Sequence, residues 1–190
     1  MGLVAFNDYT NDSEKEEYLA EAMSYFNTAI AKGEDKFPVF YIARSAVHFV
    51  LGNTDAAEND LKKAQSIDKE DYAVLHASAF FYEGIGKMDE SEKMRLKIIE
   101  LFPNDVDAHV NYAFFCLDRD AQKSLKHYIR ATELAPQSVD RWYDKGLLSR
   151  LLGKFDDAEE AFQQAIELSQ DEDKKREIYT QLELVKQRQK

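Results

Sequence analysis

Trp142-Tyr143-Asp144-Lys145-Gly146-Leu147-Leu148, followed by Gly153-Lys154-Phe155-Asp156-Asp157-Ala158, decides the fold of this chain. The stretch holds a bulky residue, a small residue four positions on and a turn glycine. An apolar stripe at i, i+4 and i+7 then follows, carried by Ala158, Phe162 and Ala165. That spacing predicts a helix on each side of a glycine turn, with small residues where the two helices cross. The pattern recurs upstream: the small residues Ala57, Ser91, Ser124 and Ala158 are separated by 34, 33 and 34 positions. Two further columns keep step, Leu61/Arg95/Tyr128/Phe162 and Ala64/Ile98/Ala131/Ala165, as do the turn glycines Gly52, Gly86 and Gly153. A period in this range marks a stacked array of one supersecondary unit.

The unit resembles a tetratricopeptide repeat (TPR). The two quoted stretches of residues 142–158 are close to that family's consensus, and Pro103-Asn104 and Pro136-Gln137 stand at the expected inter-repeat corners. The resemblance implies an all-α, right-handed α-solenoid of helix-turn-helix repeats. Repeats fall at residues 38–71, 72–105, 106–138 and 139–172, with Tyr41, Leu75, His109 and Trp142 at equivalent bulky positions. The third repeat departs from the pattern: it is one residue short between His109 and Ser124, and its turn reads Asp118-Arg119-Asp120 in place of glycine. A local change in helix crossing and superhelical curvature is expected there. Arg95 stands in an otherwise apolar or aromatic column, where its stem is expected to cover apolar surface while the guanidinium reaches water.

Both ends carry a single amphipathic helix. Residues 1–12 read as an N-terminal segment, and residues 13–36 as a half repeat that caps the array. Ser13 to Glu16 has capping-box spacing, and Tyr18, Ala22, Tyr25, Phe26, Ala29 and Ile30 form its stripe. The alternative is that residues 1–32 fold back into the groove. Residues 173–190 read as a C-terminal capping helix, with Ile178, Leu182 and Val185 on its apolar face and Lys186, Arg188 and Lys190 at its end, where the helix dipole favours cations.

Composition bounds the partners. A 190-residue chain suits one domain, and three prolines, Pro38, Pro103 and Pro136, all at repeat starts or ends, disfavour a strand-rich fold. A formal net charge of −11 argues against nucleic-acid phosphates and anionic membranes and favours a basic or amphipathic partner. The N-terminal residues Met1 to Phe6 lack a basic region and a long apolar run, no stretch reaches membrane-spanning length, and the lone Cys116 supports no disulfide framework. A cytoplasmic protein is expected.

The resemblance also implies where a partner sits. First-helix positions that line the concave surface in this family fall on Ile42, Ala46 and Phe49, on His76 and Phe80, on Asp107, Asn111, Phe114 and Leu117, and on Asp140, Tyr143, Asp144 and Leu147. The expected groove is apolar in its N-terminal half and acidic with aromatics in its C-terminal half. It suits an amphipathic helix or extended segment whose apolar side chains meet Ile42, Phe49, Phe80, Phe114 and Tyr143, while Lys or Arg meets Asp107, Asp140 and Asp144. An adaptor, assembly factor or specialised chaperone follows; the alternative is a scaffold that self-assembles through its N-terminal helix or apolar end. Relatives that clamp the C-terminal carboxylate of heat-shock chaperones use Lys, Asn and Arg in this groove. Here only Asn111 matches, and the acids repel a carboxylate.

No chemistry is legible. His48 and His109 fall in packing columns, His76 on the groove and His127 on a second helix near the surface, and none has a His or Cys at ligand spacing. Gly84-Ile85-Gly86 is a turn without the rest of a phosphate loop, and the acid pairs Asp156-Asp157 and Glu159-Glu160 start a helix, where acids favour the dipole. Neither a cofactor nor a metal is expected, and the chain reads as a non-enzyme.

Overall fold

In the computed structural model, which describes residues 12–188, ten α-helices follow one another, with one 3-10 turn, Glu34–Lys36, between the first two. They are α1 (Asp12–Ala31), α2 (Pro38–Val50), α3 (Thr54–Ile67), α4 (Tyr72–Gly84), α5 (Met88–Leu101), α6 (Val106–Cys116), α7 (Ala121–Leu134), α8 (Val139–Leu151), α9 (Phe155–Leu168) and α10 (Glu172–Arg188). The chain is all-α among the described residues, built as helix hairpins of the α-solenoid class. It divides into two units, one ending at Met94 and one beginning at Arg95, so that the boundary falls within α5.

Glycine sets three of the hairpin turns. Gly52, Gly86 and Gly153 have φ of 76°, 77° and 71°, the left-handed region where a side chain is strained. Each lets the next residue's N–H reach back into the helix, as Asn53 N does to His48 O at 2.8 Å and Lys87 N to Tyr82 O at 2.8 Å. The third turn has no such residue. There α6 stops at Cys116, after 11 residues against 13 in α2, α4 and α8. Arg119 donates to the Phe115 carbonyl at 2.6 Å, and the Asp120 carboxylate caps α7 by accepting from Lys123 N at 2.9 Å. Side chains thus add to the backbone closure, in which Asp120 N donates to the Cys116 carbonyl at 2.7 Å.

In the first unit α1 and α3 pack on α2, α4 packs on α2 and α3, and Ala57, Leu61 and Phe81 form the core with Ala77, Tyr82 and Ile85 against it. The basic end of Arg44 ties α1, α2 and α3: its guanidinium donates to both Asp60 oxygens, at 2.7 and 2.6 Å, and to Asn27 at 2.8 Å. The Asp60 carboxylate raises the pKa of that guanidinium. Helix α1 ends at Ala31, five residues short of the expected 36, because Gly33 turns the chain at φ 98° into the 3-10 turn. The expected N-terminal segment 1–12 lies, but for Asp12, outside the described residues, as does the Ser13 side chain of the capping box.

In the second unit α6–α7, α7–α8, α8–α9 and α9–α10 are neighbours. Helices α8 and α9 pack tightly at Gly146, where an added Cβ would lie 2.6 Å from the Phe162 ring. Ile178, Leu182 and Val185 of α10 complete that core with Tyr143, Ala158, Phe162 and Ala165. One sequence expectation fails here. Arg95 does not reach water: it is 5% exposed, with its guanidinium 4.9 Å from the Phe115 ring centroid and 3.4 Å from the Asn111 carbonyl it donates to. His127, expected near the surface, is half-buried, its Nδ1 2.9 Å from that of His109.

Candidate partner-binding surface

The first unit presents a face built on α2 and α4. Phe49 is pinned there, because Gly84 leaves room for its ring: a Cβ at Gly84 would lie 2.5 Å from it. The ring also meets Phe81 edge-on at 5.7 Å and remains 39% exposed. Beside Phe49, Ile42 is half-buried and Ala46 exposed. On α4, His76 lies between Tyr72, stacked at 5.8 Å, and Phe80, tilted at 4.7 Å. These three rings sit at i, i+4 and i+8 and so share one side of the helix. Phe80 is 44% exposed. Tyr72 was missed from sequence, although the spacing Tyr-x3-His-x3-Phe carries the signal.

The second unit presents α6 and α8. On α6, Phe114 is 69% exposed and Asp107 is exposed on the same helix, while Asn111 is half-buried. Leu117 packs against the cluster of Ala113, Leu125, Tyr128 and Leu148. Arg95, through the Asn111 carbonyl and the Phe115 ring, holds this helix from behind.

On α8, Asp140 is exposed, and Leu147 packs against the core that includes Phe162. Asp144 is half-buried and 3.6 Å from Arg141; burial raises its pKa, while Arg141 and Lys174 pull it down and Asp140 adds to the rise. Tyr143 departs from the expectation of an open anchor. It is 9% exposed, its hydroxyl donates to Glu177 of α10 at 2.6 Å, and the Lys174 amine stands 4.1 Å from its ring centroid. Burial first, then the bond to Glu177, pushes its phenol up to about 12. Helix α10 therefore covers Tyr143, and the accessible residues on this side are Asp107, Phe114 and Asp140 with the half-buried Asn111, Leu117, Asp144 and Leu147.

The tetratricopeptide repeat model matches residues 139–172, the repeat built around the Gly146 crossing. That stretch is a tetratricopeptide repeat. An uncharacterized protein of Methanocaldococcus jannaschii is 40% identical over 43 residues, which cover 23% of this chain and 50% of that protein. The chain thus spans about half the length of the curated relative it matches.

Solved structures share the fold at low identity. A MamA fragment from Desulfovibrio magneticus RS-1 superposes with a TM-score of 0.65 at 17% identity, covering 83% of this chain and 90% of that one. YrrB, described as a tetratricopeptide-repeat protein with an unusual peptide-binding site, superposes with a TM-score of 0.60 at 17% identity, covering 84% of this chain and 82% of that one. Tetratricopeptide repeats are a fold for protein–protein interaction. No helix among the described residues is long and apolar enough to cross a membrane.

Proposed function

We propose that this tetratricopeptide-repeat protein binds an amphipathic segment of a partner protein, apolar on one side and basic on the other, and acts as an adaptor, assembly factor or specialised chaperone. The observation that carries the reading is Phe114, a large aromatic left 69% exposed on a helix that also exposes Asp107. An isolated exposed apolar residue needs no explanation; one that shares a helix with an exposed carboxylate suits an interaction face, and the exposed rings of Phe49 and Phe80 give the first unit an apolar face of its own. The acidic side chains select Lys or Arg by charge, and the rings take the apolar anchors. Cytoplasmic residence accords with the absence of a disulfide framework in a chain with one, buried, cysteine.

The test is capture from source cells with wild type and with Phe80→Glu/Phe114→Glu, at unchanged helicity. A stoichiometric partner held by wild type and lost by the variant is expected. Equal capture by both overturns the assignment of these faces. A second reading rests on Tyr18 and Tyr25, which stand exposed on α1: docking of one copy on another through that helix. It predicts a mass by light scattering that rises with concentration and falls in Tyr18→Glu/Tyr25→Glu.

A further inference from the structure

Near the end of α8, Arg150 carries a guanidinium that the fold leaves unengaged. The residue is half-buried, its Nε is buried with no hydrogen-bond partner, and among the described residues no carboxylate pairs with it. A buried donor left unpaired is costly, and more so on a charged group. Arg44, in the first unit, shows what such a fork takes when it is filled: its Nε and Nη2 donate side by side to the two oxygens of Asp60, at 2.7 and 2.6 Å. Arg150 offers the same fork with no acid in it.

The guanidinium borders a face that is polarised along the helix. Asp140, Asp144, Leu147 and Leu151 recur at i, i+4, i+7 and i+11 and so form one stripe of α8. Asp140 is exposed, Leu151 is 70% exposed, and Asp144 and Leu147 are half-buried. Arg150 stands two turns beyond Tyr143, on the side where α10 packs, and is near enough to oppose the rise in the Tyr143 phenol pKa. At the other end Arg141 lies 3.6 Å from Asp144, so Asp140 is the less neutralised of the two acids. A helix rises 1.5 Å per residue, which sets Asp140 and Arg150 roughly 15 Å apart along the axis. One face thus runs from a free carboxylate to a free guanidinium, with an exposed leucine beside the latter.

We propose that Arg150 receives an Asp or Glu side chain of the partner segment and thereby fixes the direction in which that segment lies. The inference rests on the reading that a basic, amphipathic segment docks on this unit. Its basic residue then faces Asp140, its apolar residue covers Leu151, and its acid enters the Arg150 fork. A segment laid the other way would set Lys or Arg against the guanidinium and a carboxylate against Asp140, replacing two attractive contacts by two repulsive ones.

The test is selection from a random peptide library displayed as N-terminal fusions, which carry no chain-end carboxylate, on wild type, Arg150→Met and Arg150→Glu. Helicity is checked by circular dichroism, and Arg150→Met keeps the apolar stem while removing the fork. Wild type is expected to enrich peptides with Asp or Glu at a fixed spacing from Lys or Arg, always on the same side of it. Arg150→Met should drop the acid and Arg150→Glu exchange it for Lys or Arg, with the basic and apolar positions kept in both. A synthetic, amidated copy of an enriched peptide should bind Arg150→Met about tenfold more weakly than wild type, and its Ala-for-acid analogue should bind both alike. An acid at no fixed position or on both sides of the basic residue, or the same acid enriched on Arg150→Glu, overturns the role of Arg150 and leaves basic–apolar binding intact. Enriched peptides without any basic and apolar pattern overturn the underlying reading, and the proposal falls with it. Should a variant fail to fold, the placement of the acid in the wild-type selection decides.

Discussion

Gly146 shows how a single residue fixes geometry in this chain. Ordinarily alanine in place of a mid-helix glycine gains up to about 1 kcal/mol of helical propensity. Here the new Cβ would stand 2.6 Å from the Phe162 ring, which is fully buried and has nowhere to retreat. Overpacking of this kind costs about 1–3 kcal/mol, so the clash outweighs the gain. Gly146→Ala is expected to destabilise the second unit by about 1–2 kcal/mol net in urea unfolding; a neutral or stabilising result would show that α8 and α9 cross less tightly.

At the same scale, Gly146 was legible in the sequence because the constraint is steric and recurs in its column as a small residue. Arg95 and His127 were not. Their burial depends on partners, Phe115 with the Asn111 carbonyl and His109 with Tyr112, which a column of residue types does not reveal. A faint signal existed. Thirty-four-residue spacing sets Tyr112 and His127 in the same two columns as Arg44 and Asp60, and the latter pair is a bidentate ion pair in the first unit.

The helix pair is the element that repeats, and its second helix enters each pair through the same buried small-residue column. Ala57, Ser91, Ser124 and Ala158 are all 0% exposed. The two serines differ in what they bond: the Ser91 hydroxyl donates to the Ala79 carbonyl at 2.8 Å, whereas the Ser124 oxygen is buried without a hydrogen-bond partner. A buried polar group left unsatisfied costs about 1–3 kcal/mol, while a satisfied one contributes about 0.5–1.5 kcal/mol. Ser124→Ala is therefore expected to raise the urea midpoint and Ser91→Ala to lower it, although the two substitutions are chemically identical; changes of the same sign would refute the distinction.

Turns follow similar logic. Glycine at Gly52, Gly86 and Gly153 announced three of them, while the third hairpin, where the Arg119 and Asp120 side chains join the backbone closure at Cys116, was legible only as a departure. The two ends divide the same way. Helix α10 was visible from its stripe, but that it covers Tyr143 was not, since the bond to Glu177 and the Lys174–ring contact join residues more than thirty positions apart.

For the whole molecule, the acidic balance of −11 governs how a partner arrives rather than how the chain folds. Association with a basic segment should slow as salt shortens the range of that field, which spans about 10 Å at 0.1 M ionic strength. Dissociation depends instead on apolar anchoring and should change little with salt.

The proposed partner surface stands or falls on Phe114, and a peptide titration is its test. Peptides enriched from a random display library on the wild-type chain would be titrated calorimetrically into wild type and into Phe114→Glu, with helicity checked by circular dichroism. Enriched peptides that combine Lys or Arg with aliphatic or aromatic residues are expected, with an affinity at least about tenfold weaker for the variant, which corresponds to about 1.4 kcal/mol. Enrichment of acidic peptides, or equal affinity for both proteins, would contradict the proposed surface.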